Sequence, residues 1–188
     1  MRARHAALSA ALVGLVLATG ACSSGRPEAP PDPAAVASVF RVADSGRCPT
    51  WRSSFDLTGN VPGRTRHMVP FPATRLLLCG YHHGQDGMAP EPATALVTDR
   101  AAIQRLTKAL DAVRKPKPGT YHCGEDTGAE VLEIFTGSHA HERAEAEVLQ
   151  SLSGCPGADN GYRDGWVGES GAGTAVMELL PRAYQAMV

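Results

Sequence analysis

The sequence has no strongly basic segment, no apolar run long enough to cross a bilayer, and none of the glycine-rich loops that cradle phosphates. Each absence closes off a class of function. Lys and Arg number 18 against 19 Asp and Glu in 188 residues, a formal net charge of −1. Nucleic-acid binding requires a concentrated cationic face that displaces counterions. The nearest thing to one is Arg64 and Arg66, and Pro62 and Gly63 beside them suggest a solvated loop. No nucleic-acid partner is expected. The longest apolar run, Ala6 to Ala18, falls short of the ~20 residues a permanent membrane helix needs. Neither a G-x-G-x-x-G fingerprint nor a Walker loop occurs, so the common nucleotide-binding devices are missing and no cofactor is expected. Aromatic residues make up only 5% of the chain, whereas Gly (20) and Pro (14) are plentiful, the composition of a loop-rich single domain.

What is present begins with the leader. Arg2, Arg4 and His5 form a basic start, the apolar run follows, and Thr19, Gly20 and Ala21 are small residues that suit a peptidase groove. Cys22 comes directly after. The stretch Leu17-Ala18-Thr19-Gly20-Ala21-Cys22 resembles the lipobox of bacterial lipoproteins, with Thr19 standing where that motif has a larger aliphatic residue. The resemblance implies cleavage after residue 21, a diacylglycerol on the Cys22 sulfur, and attachment to the outer face of the cell membrane. Loss of Arg2 and Arg4 would leave the mature chain at −3. Residues 22–38, with Pro27, Pro30, Pro31 and Pro33 among Ser, Gly and Ala, read as a semi-extended lipid-anchored stalk. Residues 39–188 are then one extracytoplasmic domain. The Ala-, Gly- and Arg-rich usage is similar to that of actinobacterial proteins.

Four cysteines remain: Cys48, Cys79, Cys123 and Cys155. An even number in an exported chain implies two disulfides, with three possible connectivities. A hairpin selects among them. Val131 to Phe135 is a β-rich run, Thr136-Gly137-Ser138 is turn chemistry, and Arg143 to Leu149 alternates charged and apolar residues like a half-buried strand. With the turn centred on His139, Phe135 pairs with Arg143, and the same register sets Cys123 opposite Cys155. Cys48 and Cys79 are left to pair.

Ala73 to Tyr81 and Thr94 to Val97 predict an earlier hairpin around Gly84-Gln85-Asp86-Gly87. Asp99 can cap a helix whose Ile103, Leu106, Leu110 and Val113 form one apolar stripe, stopped by Lys115-Pro116-Lys117-Pro118-Gly119. A further strand run spans Gly161 to Val167, and Thr174 to Met187 is helix-like but broken or restarted at Pro181. The order predicts an α+β fold: an antiparallel sheet of about five strands, a helix packed on one face, and two disulfides.

The stretch Ile103 to Cys155, with its helix, cysteine, hairpin and closing cysteine, resembles part of the Streptomyces subtilisin-inhibitor family. That resemblance implies secretion and a protease-binding loop over Cys123-Gly124-Glu125-Asp126-Thr127-Gly128, which lacks the residues characteristic of the family's reactive loop. As a whole the chain is similar to uncharacterised actinobacterial lipoproteins with a Leu-Cys-x-Tyr strand, here Leu78-Cys79-Gly80-Tyr81.

No catalytic set is assembled in the sequence. His82, His83 and Asp86 cluster at one turn and His139 and His141 at another, so a metal site forms only if both turns meet; three or four convergent ligands are needed. Gly168-Glu169-Ser170-Gly171-Ala172-Gly173 resembles the G-D-S-G segment of chymotrypsin-like proteases but fails G-x-S-x-G at Ala172, and reads as a turn. The expectation is a non-enzymatic lipoprotein whose domain binds an extracytoplasmic protein or small molecule. Protease inhibition and metal binding are the alternatives, and hydrolysis through Ser170 comes last.

Overall fold

The structure is a computed structural model and describes residues 28–52, 54–82, 92–117 and 119–188. Its elements are α1 (Pro33–Ser45), β1 (Ala73–His82), β2 (Ala93–Val97), α2 (Arg100–Asp111), β3 (Ala129–His139), β4 (Glu142–Ser151), β5 (Gly157–Asp159), β6 (Asp164–Trp166), α3 (Ala172–Met177) and α4 (Arg182–Gln185). The six strands form one antiparallel sheet in the order β2-β1-β3-β4-β5-β6. The α+β class and the antiparallel sheet match the sequence expectation.

Strand parity splits the buried side chains into two cores. On one face Leu76, Leu78, Val131, Phe135 and Val148 pack against Ile103, Leu106 and Leu110 of α2 and against Val176 and Tyr184 from the C-terminal helices. The three α2 side chains are at most 1% exposed, and each such burial stabilises by about 1.5–3 kcal/mol. On the other face Leu77, Cys79, Tyr81, Leu132 and Ile134 meet Val39 and Ala43 of α1, with Trp51, Phe55 and Leu57 alongside. Helices therefore cover both faces, not one.

Helix α1 corrects the stalk boundary drawn at residue 38. Pro33 occupies the first helical turn, where its missing N–H costs nothing, and Asp32 caps the helix by accepting from Ala34 N at 2.9 Å. Gly46, at φ 63°, closes it. Pro33, one of the prolines that suggested an extended stalk, marks a helix start instead, and the folded domain reaches back at least to Glu28, whose carboxylate accepts from Gly63 N at 2.8 Å and Thr65 N at 2.9 Å.

The β3–β4 register also differs from the expected one. Phe135 pairs with Ala146 and His139 with Glu142, so the turn is the two-residue loop Ala140–His141 and Arg143 lies opposite Ser138. Both loop residues have positive φ, 49° and 70°, the conformation tight hairpins require. Gly137 is a strand residue, not a turn former. A Cβ there would come within 2.7 Å of Pro72 O, so glycine allows the chain near residue 72 to approach β3. The run expected as one strand from Gly161 to Val167 is instead a turn followed by β6, with β5 before it. Beyond the end of β5, residues 58–60 cover the outer edge of β4: Gly59 bridges Ala146, and Asn60 N donates to Glu145 O.

Candidate functional site

Both expected cysteine pairs are present. Cys48 and Cys79 have Cα atoms 5.5 Å apart, and Cys123 and Cys155 4.9 Å apart, each within disulfide reach. The reason given for the second pair does not hold. Cys123 lies six residues before β3 begins, and loop residues, not strand register, bring it to Cys155.

His82 lies far from the turn that carries His139 and His141. His82 ends β1 opposite Ala129, the first residue of β3, whereas His139 ends β3 beside the start of β1. About ten residues of strand, roughly 30 Å, lie between them, because β1 and β3 are antiparallel. His139 and His141 are exposed at the β3–β4 turn. His83, Asp86 and the lipidation candidate Cys22 fall outside the described residues. Among the described residues no group of three or more metal-ligating side chains converges. Ser170 sits in the turn before α3. Its hydroxyl donates to Val167 O at 3.1 Å and accepts from Ala172 N at 3.1 Å, so its hydrogen bonds serve the turn.

The structure assembles two features that sequence reasoning missed. The first is a set of buried carboxyls. The alternation in β4 suggested a half-buried strand with outward charges, but α1 and the segment around Trp51 to Leu57 cover that face. Glu145 is 0% and Glu147 8% exposed. Burial, with the Glu147 charge adding and Arg64 opposing, pushes Glu145 up to about 8; burial pushes Glu147 up to about 7 against the Thr58 N–H and Arg64. Thr58 N donates to Glu147 Oε2 at 3.0 Å. Neither carboxyl oxygen of Glu145 has a hydrogen-bond partner among the described residues. Glu133, on the opposite face of the sheet, is fully buried, and burial raises its pKa well above the ordinary value. With its amide turned to satisfy both ends, Gln150 donates to Glu133 Oε1 at 2.9 Å and accepts from Gly173 N at 3.1 Å. These acids lie buried on the two faces of the sheet, none more than 8% exposed.

The second feature is a cleft of about 640 Å³ between the α2–β3 connection and the β6–α3 turn. Tyr121 and Trp166 form one wall, their ring centroids 5.4 Å apart and tilted by 41°. Arg114, Lys115, Lys117, Glu169 and Ser170 also line the cleft, three cations to one carboxylate. The backbone holds this wall firmly. Trp166 N donates to Arg114 O at 2.8 Å, extending the sheet by one bridge beyond β6. Gly165 permits that approach, since a Cβ there would lie 2.7 Å from Arg114 O. The Tyr121 hydroxyl donates to Lys117 O and ties down the facing loop. An aromatic wall in a cleft lined mostly by cations suits a small ligand that has a flat apolar body and a negative group. The aromatic–basic spacing of Lys115, Lys117 and Tyr121 was visible in the sequence. Trp166, about 45 residues further on, could be added only once the fold was known.

No family model, no curated protein and no solved structure matches this chain. The likeness to the subtilisin-inhibitor family therefore rests on the helix, the cysteines and the hairpin alone.

Proposed function

We propose that the chain is an exported lipoprotein, anchored to the membrane through Cys22, whose disulfide-stapled domain binds a small anionic ligand with an aromatic or otherwise flat apolar body and carries out no reaction on it. The observation that carries the binding reading is the cleft with its Tyr121–Trp166 wall and its rim of Arg114, Lys115 and Lys117. Two cysteine pairs at bonding distance fit an oxidising compartment outside the cytoplasm. A binding role is favoured over catalysis by where the reactive groups lie. The carboxyls with raised pKa are buried in the cores, and Ser170 spends its hydroxyl on backbone partners.

Titration with anilinonaphthalene sulfonate, an anionic aryl dye, tests the reading. The expected result is saturable one-site binding with Kd on the order of 10–100 μM, weakened at least about tenfold by Trp166→Ala or Lys117→Glu. Binding that is unsaturable, or unchanged in both variants, would place the ligand elsewhere. Protease inhibition stays as a second reading because residues 121–126 form an exposed loop tied at Cys123 to Cys155. Stoichiometric inhibition of subtilisin, with cleavage confined to that loop, would favour it over small-molecule binding.

A further inference from the structure

Glu28, the first described residue, is held firmly by the domain. Its carboxylate is clamped by the N–H groups of Gly63 and Thr65. Burial works against its ionisation, but those two N–H groups and the Arg64 charge outweigh it and hold its pKa below the ordinary value. The next residue is held as well: Ala29 N donates to the Tyr162 hydroxyl at 3.2 Å, and Ala29 O lies 3.3 Å from the same oxygen. Cys22 is six residues away in sequence, and six residues, even fully extended, reach only about 20 Å. Once Cys22 is acylated, Glu28 can be no farther than that from the bilayer surface. The rim that holds Glu28, loop 63–67 and the β5–β6 turn, is thereby kept near the membrane.

That same rim carries the positive charge. Beside it lies a recess of about 450 Å³ lined by Arg66, His67, Arg114, Lys115 and Arg163 with Asp111 and Asp164. The recess holds four permanent cations against two carboxylates. Two of its arginines are held by neutral groups: Arg163 donates to the carbonyls of Arg66, Asp111 and Val113, and Arg114 to those of Asp111 and Val113. Carbonyl acceptors orient the guanidinium groups without cancelling their charge. Asp111 is turned inward, accepting from Met68 N at 2.8 Å and facing His67 Nδ1 at 3.0 Å, and Asp164 pairs with Lys115 at 3.2 Å. A net positive recess on a mature chain of −3, placed where the tether must bring it close to lipid, has one evident counterpart.

We propose that the rim formed by Arg66, Arg114, Lys115 and Arg163 rests on the anionic headgroups of the membrane that holds the anchor, so that the domain sits on the bilayer in a fixed orientation. This rests on the lipid-anchor reading. The tether keeps the rim near the surface, and electrostatic attraction, which acts within about 8 Å at physiological salt, sets which side faces down.

The full-length lipidated protein, reconstituted in vesicles, provides the test. Flotation with purely zwitterionic vesicles comes first. A protein that does not float with them has no anchor, and the lipoprotein reading fails at that step. For a protein that floats, amide hydrogen exchange is compared in zwitterionic vesicles and in vesicles containing phosphatidylglycerol. The expected result is exchange slowed about fivefold or more over residues 63–67 and 162–166 in the anionic vesicles only, since one cation at an anionic surface is worth about that factor. Raised salt should reverse it, and Arg66→Glu with Lys115→Glu should abolish it. If the double reversal fails to fold, Arg66→Gln should reduce the protection while leaving the melting temperature unchanged. Equal exchange in both vesicle types overturns the proposal. So does the same protection produced by glycerol phosphate without vesicles, which would assign the recess to a soluble phosphate.

Discussion

Replacing Glu145 with Gln should raise stability above neutral pH and flatten its pH dependence. The side chain is fully buried beside Glu147, and neither of its oxygens is hydrogen-bonded among the described residues. Burial pushes Glu145 up to about 8 and Glu147 up to about 7, so the folded protein keeps protons that the unfolded chain releases near its ordinary carboxylate value. The native state then binds more protons across the window between about pH 4.5 and 8, and unfolding free energy falls as pH rises through it. Below that window both states are protonated and the contribution is fully present; above it the loss is complete. Each pH unit in the window is worth at most about 1.4 kcal/mol per group. From pH 5 to 8 this sets a ceiling of about 4 kcal/mol for Glu145, and from pH 5 to 7 about 3 kcal/mol for Glu147. The two carboxyls act on one another, and a charged one can draw in water, so together they should lower wild-type stability by about 2–4 kcal/mol, and Glu133, which burial also raises, adds to the fall in the same direction. Glu28 and Asp44, whose pKa values lie below the ordinary ones, act with the opposite sign but in more acidic solution. Urea denaturation at pH 5 and pH 8 reads the effect. Glu145→Gln removes one of three raised titrations, those of Glu133, Glu145 and Glu147, while keeping the side chain's shape, so its fall should be clearly smaller than that of the wild type, with near-equal stability at pH 5. A wild type as stable at pH 8 as at pH 5, or parallel curves for the two proteins, would refute the argument.

Three further outcomes follow from named residues. Asn160 is fully buried; its amide donates toward the carbonyls of Arg64, His67 and Met68 and accepts from Tyr162 N and Arg163 N. Asn160→Ala should therefore lower unfolding free energy by about 2–4 kcal/mol, and speed hydrogen exchange in residues 63–68 before other regions. Ala140 and His141 hold positive φ without glycine, so replacing the pair with Asn-Gly should raise stability by about 1 kcal/mol, seen as a higher urea midpoint with an unchanged slope. Non-reducing peptide mapping should join Cys48 to Cys79 and Cys123 to Cys155. Cys48→Ser with Cys79→Ser should cost about 3–4 kcal/mol, from a loop of 31 residues.

The parts of the fold that were legible in the sequence are those whose signal is local. The α2 stripe and its Asp99 cap follow from helical period, and β1 and β2 from β-rich runs between turn residues. The parts that were hidden depend on what lies on top. In β4 the pattern Arg-Ala-Glu-Ala-Glu-Val reads as one wet face, and only the packing of α1 with Cys48, Trp51, Phe55 and Leu57 on that face makes Glu145 and Glu147 interior. Turn chemistry at Thr136-Gly137-Ser138 misplaced the hairpin because Gly137 answers to a close approach by Pro72, which local sequence does not encode. Prolines hid α1, since Pro33 at a helix start looks the same in sequence as Pro in a stalk. Of the cleft, Lys115, Lys117 and Tyr121 sit together in sequence. Trp166 joins them only because β6 ends against Arg114.

Mass spectrometry of the N-terminal peptide of the protein, purified from the membrane fraction of an expressing bacterium, tests the central claim most directly. The account predicts a mature chain beginning at Cys22 with a diacylglycerol on its sulfur, and a Cys22→Ala variant that either leaves the membrane fraction or retains residues 1–21. An N-terminus elsewhere, an unmodified Cys22, or a Cys22→Ala protein that fractionates and migrates like the wild type would contradict it.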